Sequence, residues 1–299
     1  RQIRMDYRAK YQFKVKYSVK EKKEEKWVKI GIFVVLLIFS IFALLPFYFM
    51  LVSSFKPGSE LIRYGINFKL QPEIMSLKNY YLLFTGKEGI YLHWYKNSVL
   101  ITCIQTIVAV FLSALVGYGL AIYQFRGRNV IFIAVLVVMM VPIEILMLPL
   151  YELTVRLRII DTYTGVILPF AVPPFAVFFF RQFALGLPRD LLDAGRIDGC
   201  SEYGIYFRIM MPLMKPAFGA IIILQAMFSW NSLVWPLIAL RSNERMTLPI
   251  GLSSMIAPYG HNYDMLMAGA VLSVLPIVII FFFNQKAFIS GLTIGAVKE

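Results

Sequence analysis

Three of this chain's six aspartates, Asp190, Asp193 and Asp198, fall within nine positions of one another in the stretch "DLLDAGRIDGCSEYGIYFRIMMPLMKP", residues 190–216. Asp190 and Asp193 stand three residues apart and share a helix face, so a pair of carboxylates there has the spacing to hold a magnesium ion. A magnesium-dependent transferase would need a second acidic cluster on a facing segment, and the sequence offers none. The same carboxylates can instead cap helices or meet a partner's surface. Glu144, in "MMVPIEILMLP", is a different kind of candidate, because it lies in an apolar run. An ionisable group at membrane depth costs at least about 2.5 kcal/mol unless it faces protein or water. A carrier working alone on an ion gradient would use such an acid. Uncharged polar groups recur in other apolar runs: Gln105 and Thr106, then Gln225, Ser229, Trp230 and Asn231. Each can line a pathway or make an interhelical hydrogen bond that holds helices together.

The elements that must position these groups are membrane spans. Apolar residues make up 59% of the 299 and charged residues 16%, a balance outside the range of soluble domains. Apolar runs at about 27–52, 97–123, 130–150, 164–183, 217–240 and 266–287 predict six transmembrane helices, an all-α integral membrane protein. At about 20 residues per span, six spans and their connections use the chain and leave no room for a second catalytic domain. The first run is too long for a signal-peptide core and ends in no small-residue cleavage site, so it is expected to stay uncleaved. Residues 1–26 form a basic leader with ten Lys and Arg, 27–287 the six-span transmembrane domain, and 288–299 a tail. Placing the N-terminus inside puts 20 of the 30 Lys and Arg on the cytoplasmic side and 10 on the other, which predicts both ends in the cytoplasm of a multi-pass membrane protein. The loop at 188–216, between spans four and five, is then cytoplasmic. The net charge of +13 follows the same pattern, so it signals membrane orientation and not nucleic acid binding.

Prolines recur inside the predicted spans at 46, 142, 149, 169, 173, 174, 236 and 276. In lipid such breaks are tolerated where neighbouring helices, water or side chains take up the freed carbonyls, which predicts a bundle with a polar interior. Cys103 and Cys200 are too few and too unlike in setting for a disulfide framework and are expected to be packing residues. With two histidines, His93 and His261, in polar segments, no zinc site is expected. The sequence contains no G-x-x-x-x-G-K-[ST] phosphate loop.

Between Pro188 and Pro216 the pattern predicts two short helices joined by a turn at Gly199. Leu191, Leu192 and Ile197 lie on the first. The second starts after Ser201, a good N-cap, and places Tyr203, Phe207 and Met210 at helical spacing. That stripe must pack under the loop or dock onto a partner. The stretch resembles the cytoplasmic loop of binding-protein-dependent permeases of ATP-binding cassette importers, whose pattern is Glu-Ala-Ala, two residues, Asp-Gly-Ala, then Ile-x-Leu-Pro nine residues after the glycine. Here the matching residues are Asp193, Ala194, Gly195, Asp198, Gly199 and Cys200, followed by Ile209, Met210, Met211 and Pro212. The chain departs at Asp193 for Glu, Gly195 for Ala, Cys200 for Ala and Met211 for Leu, with the spacing kept. The fragments "LPLYEL" from 148, "LPFAVPPFAVFFFRQFALGLPRDLLDAGRIDG" from 168, "SWNSLVWPLI" from 229, "TLPIGL" from 247 and the terminal "FISGLTIGAVKE" extend the likeness to the carbohydrate-importing, maltose-type second permeases.

That resemblance implies a transmembrane subunit of an ATP-driven oligosaccharide importer. It would pair with a homologous second permease, two cytoplasmic ATPase subunits that bind ATP and magnesium, and an extracytoplasmic solute-binding protein. Asp193, Ala194, Gly195, Asp198, Gly199, Tyr203, Phe207 and Pro212 would couple it to the ATPase, whose closure would tilt the attached spans between inward and outward openings. Gln105, Glu144, Trp230 and Asn231 would be the substrate-path candidates, Trp and Asn suiting a sugar's face and hydroxyls. The segments 53–96 and 241–265 would meet the solute-binding protein.

Overall fold

The structure is a computed structural model that describes residues 2–65, 69–256 and 262–294, without the side chains of 2–25, 87, 88, 284 and 286–294. Every regular element in it is helical. α1 (Gln2–Ser54) is one continuous helix of 53 residues, so the basic leader and the first span share a rod about 80 Å long. Two short helices, α2 (Gly58–Tyr64) and α3 (Lys78–Thr85), lead to α4 (Ile90–Ile122), the central span. α5 (Arg128–Met139) and α6 (Ile143–Arg156) follow, then α7 (Tyr163–Ile167) and α8 (Pro174–Leu185).

The loop between α8 and the next span carries α9 (Asp190–Ile197), α10 (Glu202–Gly204), a π-helical stretch Ile205–Met210 and α11 (Met211–Leu213). α12 (Lys215–Trp230), α13 (Val234–Ala239), α14 (Leu248–Ser254) and α15 (Tyr263–Ile294) complete the chain. Three stretches, Lys26–Ser54, Ile90–Ile122 and Tyr263–Phe283, are uninterrupted apolar helices long enough to cross a bilayer. Three bent pairs bring the spans to as many as six: α5 with α6 at 106°, the 163–170 stretch with α8 at 43°, and the 202–213 stretch with α12 at 76°.

The bends fall where the sequence places its prolines. Pro142 starts α6, Pro173 and Pro174 start α8, and Pro216 lies in the first turn of α12. A proline opening a helix gives up only an N–H that would have no intrahelical acceptor, so it marks a fresh start in a new direction. Pro46, Pro149 and Pro276 remain inside continuous helices. The fifth predicted span, 217–240, is not one helix. α12 stops at Trp230 and α13 begins at Val234, because Pro236 has no N–H for the Ser232 carbonyl and Asn231 ends α12 with its own amide on the Met227 carbonyl at 2.9 Å. The two cysteines also depart from expectation, since both are exposed on this chain and outside its buried core.

α4 lies at the centre because its small residues admit close neighbours. A Cβ on Gly117 would stand 2.7 Å from the Phe180 Cβ and 2.8 Å from the Val177 carbonyl of α8, so only glycine lets the two helices approach this far. Ala109, Ala114 and Ala121 continue that buried face, and Ala217, Ala220 and Ile221 of α12 close it from the other side. Beneath the 190–213 loop the packing condenses into one apolar cluster that includes Tyr118, Phe180, Leu192, Ile205, Tyr206, Met210 and Met214.

Candidate functional site

The turn between the two loop helices is built from three consecutive residues. Gly199 has φ of 75°, the left-handed region that a side chain strains, and nothing lies within 4 Å of its missing Cβ. Backbone conformation, not crowding, therefore demands glycine here. Its N–H donates to the Arg196 carbonyl at 3.1 Å and the Cys200 N–H to the Gly195 carbonyl at 2.9 Å, the paired bonds of a Schellman cap that closes α9. Two residues later the Ser201 hydroxyl accepts the Gly204 N–H at 3.1 Å and opens the second helix. Asp198 is the exposed C-cap residue of α9. Pro212 sits in the first turn of α11.

The second helix does not keep a 3.6-residue period. Its Ile205–Met210 stretch is π-helical, and the wider turn swings the side chains away from the stripe read from the sequence. Met210 is fully buried in the cluster below, Phe207 is 45% exposed, and Tyr203 is 80% exposed. Ile205 and Tyr206 take the buried places instead. Ile197, at the end of α9, is 86% exposed, so the tip of the loop presents Ile197, Tyr203 and Phe207 as apolar groups without cover. Gly195 faces the opposite way. A Cβ there would stand 2.9 Å from the Ile209 Cδ1 and 3.2 Å from the Ile205 Cγ1, so the two loop helices touch at this residue. Ala194 lies beside it on the outward side.

Three of the loop's charges, Asp193, Arg196 and Glu202, are paired with one another. The Arg196 guanidinium donates through Nε to Glu202 Oε1 at 2.8 Å, through Nη2 to Glu202 Oε2 at 3.3 Å, and through Nη1 to Asp193 Oδ1 at 3.3 Å. Glu202 Oε2 also accepts the Tyr123 hydroxyl, 2.8 Å away at the end of α4. Asp193 thus faces Arg196, and among the described residues no group of three or more His, Cys, Asp or Glu is placed to hold a metal. Above Glu202 a cleft of about 340 Å³ opens between Tyr118 and Tyr123 on one side and Tyr203 and Tyr206 on the other. Tyr123 and Glu202 were not among the residues singled out from sequence. They lie 79 positions apart, and no local pattern connects them.

The four substrate-path candidates are divided by the structure. Gln105 is buried between α4 and α12, where its Oε1 accepts the Ser229 hydroxyl at 3.1 Å. Trp230 is buried too, its indole N–H donating to the Ser273 carbonyl at 3.0 Å and its ring set edge-on to Tyr95. Glu144 is exposed in the first turn of α6, just past the 106° bend, and Asn231 is exposed at the end of α12.

At the far end of α4 from the loop, side chains hold the backbone of residues 241–248. The Trp94 indole donates to the Asn243 carbonyl at 3.0 Å, and the Asn97 amide to the Glu244 and Met246 carbonyls at 2.7 and 2.9 Å. The Tyr163 hydroxyl orients Asn97 by donating to its Oδ1 at 2.8 Å, and the Ser98 hydroxyl accepts the Leu248 N–H at 2.7 Å. Asp161, itself at a left-handed φ of 54°, accepts the Arg241 and Ser242 N–H groups at 2.9 and 3.1 Å, together with the Ser242 hydroxyl and the Arg245 guanidinium. Partial burial pushes the Asp161 carboxyl upward, but the Ser242 hydroxyl, the two amides and the Arg245 charge outweigh it and hold the group below its ordinary value. The segment lies within 241–265, the stretch expected from sequence to meet a solute-binding protein, while the clamp that fixes it was not legible there.

Residues 109–294 match the family of binding-protein-dependent transport system inner membrane components. Over 270 residues the chain is 58% identical to the arabinooligosaccharides transport system permease protein AraQ of Bacillus subtilis, covering 90% of this chain and 96% of that one. It is 31% identical over 256 residues to the lactose transport system permease protein LacG of Rhizobium radiobacter, with 86% and 91% covered. Its fold also matches, at a TM-score of 0.74 and 22% identity over 89% of this chain and 98% of the other, a chain from a bacterial ABC transporter involved in the import of the acidic polysaccharide alginate. The chain belongs to the family of binding-protein-dependent inner membrane transport components, and it is an all-α, multi-pass membrane permease.

Proposed function

We propose that this permease is the transmembrane subunit of an ATP-driven importer of oligosaccharides, with arabinose-containing oligosaccharides as the substrate class. The observation that carries this reading is the 58% identity with an arabinooligosaccharide permease along 90% of the chain. The permease forms half of a translocation pathway with a homologous second permease, and two cytoplasmic ABC ATPase subunits bind the ATP and magnesium. A solute-binding protein delivers the sugar from the far side. Both termini and the 188–216 loop face the cytoplasm, as the excess of Lys and Arg on those segments favours.

In this reading the 190–213 loop is the lever. Gly199 sets the angle between its two helices, and the uncovered Ile197, Tyr203 and Phe207 supply the apolar face that an ATPase subunit grips, as a helix does in a groove. Asp198 and the outward-facing Ala194 lie beside that face, whereas Asp193 and Gly195 hold the lever's own shape through Arg196 and the Ile205 contact. Pro212 helps to fix the helix that leads into α12. ATP-driven closure of the ATPase pair then moves α8 and α12, the helices joined to the loop, between two openings. Glu144 and Asn231, the exposed pair of the four candidates, are the groups best placed to meet sugar once the second permease completes the cavity; Gln105 and Trp230 support it from behind.

The test is reconstitution of the full complex in liposomes with ATP inside and solute-binding protein plus labelled arabino-oligosaccharide outside. Uptake should require ATP, both ATPase subunits and the binding protein together. Uptake that persists on an ion gradient without ATP would overturn the proposal.

A further inference from the structure

α4 is in contact with both the loop that meets the proposed ATPase and the segment on the side of the proposed solute-binding protein. It is a single unbroken helix of 33 residues, about 50 Å long, with no proline in it. At one end Trp94, Asn97 and Ser98 hold residues 243–248 through four hydrogen bonds to backbone groups. At the other end, among the described residues, one hydrogen bond joins the helix and its C-cap residue to the 190–213 loop: the Tyr123 hydroxyl donates to Glu202. The other contacts there are apolar. The Tyr118 and Tyr206 rings lie 4.9 Å apart, and the buried Tyr206 hydroxyl has no hydrogen-bond partner. Apolar packing of this kind keeps two elements together while allowing them to slide. A hydrogen bond from a hydroxyl to an ion-paired carboxylate fixes a direction and a distance.

We infer that Tyr123 and Glu202 form a positioning latch that makes α4 a transmission rod, carrying the state of the 241–248 segment to the ATPase-facing loop. The inference rests on the proposed importer function. Arg196 sets the latch, because its two bonds to Glu202 hold the carboxylate where the Tyr123 hydroxyl can reach it. The hinge side of the device is Gly199, which separates Arg196 on α9 from Glu202 on the next helix, so any change of angle between the two loop helices pulls on the same carboxylate. A solute-binding protein pressing on the far end of α4 would thereby change the angle of the loop tip without any direct path through the sugar cavity.

The experiment uses the reconstituted complex and measures how many-fold loaded solute-binding protein stimulates ATP hydrolysis. Tyr123→Phe keeps the ring and removes only the donor, and Glu202→Gln removes the charge but keeps an acceptor. Each should lower the stimulation ratio about threefold, the scale of a partly exposed charged pair. The double variant should do no worse than the poorer single, because both remove the same bond. A loss of folding would lower basal and stimulated hydrolysis in proportion and leave the ratio intact. Unchanged ratios in both single variants overturn the latch, as does a double variant whose loss is the product of the two. A wild-type complex whose hydrolysis does not respond to the binding protein at all overturns the importer reading and takes the latch with it, whereas a responsive wild type with responsive variants removes the latch alone.

Discussion

The two ends of α4 hold their neighbours by opposite means. At residues 241–248 the bonds run from side chains of α4 to the backbone of the segment, and Asp161 adds more from the other side. Backbone groups cannot rotate away from such bonds, so the segment has become part of the helix's own surface. At residues 190–213 the polar tie runs between two side chains at the surface, and the tip beyond it stands uncovered. Side chains can re-aim without moving a backbone, so this end is held in register yet left free to be gripped. One rod thus carries a fixed head and an adjustable foot. The difference teaches that rigidity in a transport helix is distributed by which atoms make the bonds, as much as by how many there are.

The comparison breaks most visibly at Gly251. A Cβ there would stand 2.0 Å from the Trp94 ring, so Gly251→Ala should destabilise the fold by about 3 kcal/mol and displace the indole that holds Asn243. Thermal unfolding of the purified protein with Trp fluorescence would read both effects. Next comes Gly199→Val, where left-handed backbone meets a β-branched side chain at a cost of roughly 2 kcal/mol. Uptake should be lost while membrane insertion remains, and Gly199→Asn, which tolerates that backbone, should recover much of it.

Asp161→Asn should cost about 1 kcal/mol and loosen the fixed end alone. It also carries a pH signature. A carboxyl held below its ordinary value stabilises the fold at neutral pH, and that contribution disappears as pH falls through the lower folded-state value. Wild-type stability should therefore decline in acid below the usual carboxylate range, and Asp161→Asn should lack that component in a thermal series from neutral to acid pH. The smallest effect on folding is expected for Ile197→Ser and Tyr203→Ser at the free end, within about 0.5 kcal/mol, because both side chains are solvent-facing. Uptake by the assembled complex should nonetheless fall. A loss of stability as large as that of Gly251→Ala would mean the tip is packed against the bundle and not presented to a partner.

Much of the loop was legible because its determinants are local. Gly199, Ser201 and the acidic positions act within a few residues of themselves, and the structure places the turn and the cap where spacing predicts. The orientation of Phe207 and Met210 was not legible, since a 3.6-residue period was assumed where the helix opens to a wider turn. That opening depends on the floor beneath it, where Ile205, Tyr206 and Met210 fill a cluster made by α4, α8 and α12. The same holds for Gln105. A polar residue in a span reads equally as a pathway group or as glue, and only the position of Ser229, 124 residues away, places it between two helices.

By itself the sequence determined that this chain lies in a membrane, where the 190–213 loop turns, and where prolines let its helices bend. Hydropathy over about 20 residues, missing N–H groups and caps are properties of short stretches and need no partner to act. Only the tertiary structure decided which polar groups meet: Tyr123 with Glu202, Asp161 with residues 241–245, and Trp94 with Asn243. Those pairs are separated by 79 to 149 positions, and what brings them together is the close approach of helices across Gly117 and its neighbours, a matter of shape that no local pattern encodes.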